Sequence, residues 1–107
     1  MNKQELTREQ VLGMSGQELS IAVAVHVIGF EPGMVIMDEW YPAEDIAAAW
    51  EVLQHPIVMD GPQIGVYPTS FGVWVARPFM PGNDCTVQAK TAPEAICKAS
   101  LLAVLGL

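Results

Sequence analysis

The sequence predicts an α+β domain in which helices toward both chain ends pack on a three-stranded antiparallel sheet, and three observations carry that reading. Helix-start signals recur in the first half of the chain and again near its end. The hydrophobic period falls to two between Gln63 and Lys90, the mark of strands. The 107 residues contain no long polar linker, so residues 1–107 are read as a single domain with one core.

Taken in order, Thr7 with Gln10 and Ser15 with Glu18 form successive capping boxes, a hydroxyl meeting a free amide and a side chain reaching back. They predict a short helix near Arg8–Met14 and a longer one over Gly16–Ile28, stopped by Gly29 in the left-handed conformation with Phe30 packing back. Leu19, Val23 and His26 fall on one stripe of the longer helix and Ile21, Val25 and Ile28 on another, so it is expected to be covered on more than one side. Pro32-Gly33 reads as a turn and Met34–Met37 as a short extended piece. Pro42 suits the first turn of a third helix, expected to run through His55 with Ile46, Trp50 and Leu53 as its buried stripe, Ala47 and Ala49 allowing close approach, and Pro56 as its stop.

Three strands follow. Ile64 and Val66 point one way and Gly65 and Tyr67 the other; Phe71, Val73 and Val75 alternate with Gly72, Trp74 and Ala76; Cys85, Val87 and Ala89 alternate with Thr86, Gln88 and Lys90. One face is thereby aliphatic and the other mixed, with Tyr67 and Trp74 among Thr86, Gln88 and Lys90. Pro78–Asp84 reads as a hairpin loop turning at Pro81-Gly82. A third box, Thr91 with Glu94, opens a last helix whose stripe is Ile96, Ala99, Leu102 and Ala103, with Leu101, Val104 and Leu105 lying off it. It too is expected to be covered on more than one surface.

Composition bounds the function. Apolar residues make up 51% of the chain and charged ones 16%, more hydrophobic material than a small monomer easily hides, so a subunit interface or a pocket is expected unless small Ala and Val side chains inflate the count. Twelve acidic against five basic residues give a formal charge of −7, which sets up no counterion release and argues against duplex nucleic acid as a partner. From Glu44 onward the order is that of double-stranded RNA-binding domains, but the start of the last helix offers only Lys98 for phosphates. The longest apolar run, Ile21–Phe30, is about half of what spans a bilayer, and Met1–Gln10 lacks an apolar leader region, so no membrane association and a cytoplasmic location are expected.

No nucleophile elbow, phosphate-binding glycine loop, metal-binding helix motif or paired-cysteine spacing occurs, so no catalytic residue, cofactor or metal is assigned. Cys85 and Cys97 read as buried small hydrophobes, and His26 and His55 as structural histidines. Asp38-Glu39 and Glu44-Asp45 read as solvated or helix-start carboxylates rather than cation ligands. The aromatic set invites more. Trp40, Tyr67 and Trp74, with Arg77 or Lys90 at the rim, are the candidate ligand-binding residues, a stacking platform for a planar ring with a cation to meet a phosphate; packing under a helix is the structural alternative.

Three segments together resemble a known family: LTREQVLGMSGQELSIAVAVHVIGF (Leu6–Phe30), YPAEDIAAAWEV (Tyr41–Val52) and TAPEAICKASLLAVL (Thr91–Leu105). They are similar, in order and over nearly the whole chain, to the phage ABA sandwich domain family, small proteins of bacteriophages and prophages. The resemblance implies a helix/sheet/helix sandwich. It departs where the family usually places an acidic residue in the middle of the second helix, here Ala24-Val25, and a Ser or Thr where Pro42-Ala43 stand. The setting implies a phage accessory protein in the host cell that forms homo-oligomers and binds a small ligand, with sequestration of a nucleotide immune signal as the specific expectation. The alternative is an interaction module that inhibits a host protein through its acidic surface.

Overall fold

The computed structural model describes residues 6–29, 41–79 and 86–107. Phe30, Pro32-Gly33, Met34–Met37, the Pro81-Gly82 turn and Cys85 lie outside the described residues, as does Trp40. Within them the order is α1 (Arg8–Gly13), α2 (Gly16–Val23), α3 (Ile46–Gln54), α4 (Pro56–Met59), β1 (Ile64–Pro68), β2 (Trp74–Pro78), β3 (Val87–Ala89) and α5 (Ala92–Leu105). The sheet is antiparallel in the order β1-β2-β3, so the fold is α+β with helices toward both ends of the chain, as the sequence predicts.

The helix starts divide into those with complete caps and those without. At α1 both arms of the box form: the Gln10 amide donates to Thr7 Oγ1 at 3.2 Å, and the Thr7 amide donates to Gln10 Oε1 at 2.9 Å. At α2 the hydroxyl of Ser15 makes no capping bond, because Gly16 enters the helix at a left-handed φ of +55° and turns the cap backbone away from the geometry the box needs. At α5 Thr91 Oγ1 accepts from the Glu94 amide at 3.3 Å, with Pro93 in the tolerant first turn. α2 runs without a break into a π-helical segment, Ala24–Ile28, which ends on Gly29 at φ +96°. The Gly29 amide donates five residues back to the Ala24 carbonyl at 2.9 Å.

α3 starts later than expected. Pro42 lies in a turn, and Asp45 is the cap, its Oδ1 accepting from the Ala47 amide at 3.1 Å. The helix ends at Gln54, and His55 is the cap of α4, its Nδ1 accepting from the Ile57 amide at 3.3 Å. The expected stripe is also overturned: Ala48, Ala49 and Val52 are buried, whereas Ile46 and Trp50 are 41% and 45% exposed. The reason is close approach. Small side chains on this face let α3 pack on α5, which leaves its larger residues on the opposite side.

α5 is the hub. It touches every other described element, and Ala95 through Leu102 are buried without interruption, as a helix apolar on all sides must be. One side lies on the sheet and the other against α1, α2, α3 and α4. Its one buried cation is used structurally: Lys98 Nζ donates to the Leu12 carbonyl at 2.8 Å, closing the end of α1, and pairs with Glu94 Oε2 at 3.6 Å. Ser20, also buried, accepts from the Ala43 amide at 3.0 Å and ties α2 to the turn before α3.

The register of the sheet corrects the sequence reading of its faces. Val66 pairs with Ala76, Tyr67 with Val75 and Pro68 with Trp74; Trp74 in turn pairs with Ala89 and Ala76 with Val87. Directly paired residues share a face, so Trp74 and Ala76 join Val66, Val87 and Ala89 under α5, while Val75 joins Tyr67, Arg77 and Gln88 on the other side. Phe71 and Val73 belong to the turn rather than the strand. Thr69 Oγ1 donates to the Val73 carbonyl at 2.8 Å and Gly72 takes φ +80°, which starts β2 at Trp74 and turns its alternation over.

Candidate functional site

A groove of about 500 Å³ opens between α3, α4 and the start of β1, within the usual size of small-molecule sites. Its walls are Trp50, Leu53 and Gln54 from α3, Met59 from α4, and Gln63, Ile64, Gly65 and Phe79 from the β1-β2 hairpin. None of the eight is charged, on a chain of net charge −7. Trp50 is present because α3 turns its small face inward; Phe79, 81% exposed, follows β2 and is held by its amide donating to the Gln63 carbonyl at 2.7 Å. The wall at Gln63 is tightly built. Gln63 sits at φ +56°, a left-handed conformation that costs a non-glycine residue about 1–3 kcal/mol, and its amide donates to the Val58 carbonyl at 2.8 Å. The groove therefore offers two aromatic rings, two carboxamides able to donate and accept, and an aliphatic lining. A second depression, about 290 Å³ beside α1 and α2, is polar and carries Glu9 and Glu18.

The residues singled out from the sequence are dispersed. Trp74 is half-buried against the core under α5, so it shares no face with Tyr67 and the proposed platform of those two rings does not exist. The packing alternative holds for Trp74. Tyr67 and Arg77 do share the outer face, both exposed, and Arg77 pairs directly with Gly65 of the groove wall. Lys90 is exposed just beyond β3. What the sequence reading missed is Trp50, taken for core; Ala48 and Ala49 beside it were the available signal that α3 presents its small face inward.

Other groups are occupied or inert. Cys97 is a buried free thiol, and burial first, then the nearby Glu94 carboxylate, push its pKa well above the usual thiol range. His55 serves as a cap, and Lys98, the one cation at the start of α5, is committed to Leu12. Among the described residues, no group of His, Cys, Asp and Glu could hold a metal ion, and no helix is long and apolar enough to cross a membrane.

No curated protein and no solved structure matches the chain. A family model, the phage ABA sandwich domain, matches residues 10–101, nearly the whole chain. The helix/sheet/helix sandwich denoted by that name agrees with the α+β class, and the chain belongs to the phage ABA sandwich domain family.

Proposed function

We propose that this is a non-enzymatic phage accessory protein that self-associates and binds a small ligand, sequestering a nucleotide immune signal of the host cell. The supporting observation is the uncharged groove with Trp50 exposed in its wall and Arg77 across the hairpin from Gly65. A base stacked on the Trp50 ring gains about 1–3 kcal/mol, and the carboxamides of Gln54 and Gln63 suit the mixed donors and acceptors of a base edge. Arg77 is then the nearest cation by strand register for a phosphate, a role a guanidinium fills through paired hydrogen bonds.

Calorimetric titration with cyclic dinucleotides and cyclic ADP-ribose variants tests the reading. Binding at micromolar concentration, weakened at least tenfold by Trp50→Ala and by Arg77→Ala and untouched by Gln17→Ala, is the expected pattern; absence of heat across the panel rejects it. Ligand recovered chemically unchanged after long incubation supports sequestration over turnover. Retention of a host polypeptide instead of a metabolite from lysate favours the inhibitor alternative.

A further inference from the structure

We propose that two copies of this chain pair through the edges of their β1 strands, and that the pairing sets Phe71 of the partner subunit at the mouth of the groove. This names the interface for the self-association proposed above and rests on that reading. Among the described strands β1 lies at one edge of the sheet. Its ladder with β2 is phased by the Phe79 amide donating to the Gln63 carbonyl and the Thr69 amide donating to the Val73 carbonyl, so the odd-numbered residues of β1 face β2. Ile64 and Val66 consequently turn their N–H and C=O groups outward, and no partner for them occurs among the described residues. Pro62 and Pro68 bracket the pair and, lacking N–H groups, limit any added strand to this short stretch.

A two-fold axis at Gly65 satisfies all four outward groups at once. Ile64 of each copy then exchanges both backbone hydrogen bonds with Val66 of the other, and Gly65 meets its own counterpart at the axis. A Cβ built on Gly65 meets nothing within 4 Å, so the protomer itself has room for a side chain at this position. A charged side chain placed there would stand directly opposite its own copy across the axis, where like charges repel.

Charge permits the encounter. Pro62 through Val73 contains no charged residue, so two copies of a chain with net charge −7 meet across a neutral segment. The hairpin also supplies a projection: Phe71, at its turn, is 89% exposed. Antiparallel pairing sets this turn beyond the start of β1 in the other copy, the end at which Gln63 and Ile64 line the groove.

Sedimentation equilibrium of the wild-type chain, of Gly65→Glu and of Phe71→Ser is the test. The wild type is expected to be a dimer, Gly65→Glu a monomer with unchanged circular dichroism and melting, and Phe71→Ser a dimer weakened about tenfold in Kd. Hydrogen exchange of the wild type at two concentrations supplies a readout free of mutation: the Ile64 and Val66 amides slow as concentration rises. A monomeric wild type, a folded Gly65→Glu dimer, or Ile64 and Val66 amides indifferent to concentration overturns the interface. A dimer that passes these tests but takes up no nucleotide overturns the ligand reading and leaves the interface standing.

Discussion

Lys98 allows the internal architecture to be tested by a graded series. It is 8% exposed, donates to the Leu12 carbonyl at 2.8 Å and pairs with Glu94 at 3.6 Å. Lys98→Ala removes a charge-assisted hydrogen bond worth about 1.5–3 kcal/mol and about three buried methylene groups at ~0.8 kcal/mol each; relief of the buried charge offsets part of this, leaving about 3 kcal/mol. Lys98→Met keeps the packed stem and loses only the polar head, at a cost of about 1 kcal/mol. Glu94→Ala removes an i,i+4 pair on the partly exposed side, about 0.5 kcal/mol. In thermal melts the three variants should therefore fall in that order, the first by roughly 10–20 °C. Equal losses for Glu94→Ala and Lys98→Ala would refute the reasoning, because the ion pair rather than the bond closing α1 would then dominate.

Cys97 should resist alkylation in the folded protein and react on unfolding, measured in a Cys85→Ser background; burial raises its pKa, so its contribution to stability is whole below the usual thiol range and is lost as pH climbs above about 8.5. Denaturant melts across that range should show the loss in the wild type and less of it in Cys97→Ala. Leu102→Ala, at a fully buried site, should cost about 2–5 kcal/mol in the same melts, whereas Trp50→Ala, at a site 45% exposed, should cost less than half as much while removing ligand. Gly61→Ala should destabilise by about 1–3 kcal/mol, since a Cβ there meets the Ile57 carbonyl oxygen at 2.6 Å and the α4 turn must shift.

The parts of the fold legible in the sequence were those set by local chemistry. The Thr7-Gln10 box, the Gly29 stop, the Thr91 cap and the first strand stand where their residues place them. Faces were harder, because a strand or helix can bury either side and the choice belongs to the partner. In β2 both Val75 and Ala76 are buried although they point oppositely, so hydrophobicity alone held no phase information; the Thr69–Val73 turn decided it. In α3 the larger residues Ile46 and Trp50 gave the stronger sequence signal, yet distance to α5 favoured Ala48 and Ala49. The site suffered from both errors. Arg77 pairs across the hairpin with Gly65 of the groove wall, while Trp74 was assigned to the site and Trp50 to the core.

The position of α5 also has a consequence for synthesis. Among the described elements it emerges last from the ribosome, and the sheet and the preceding helices have little contact with each other except through it. The earlier elements must therefore wait, greasy and unsorted, until α5 clears the exit tunnel. Slow translation or a premature stop before Ala92 should send the nascent chain to chaperones or proteases rather than to a partly working product.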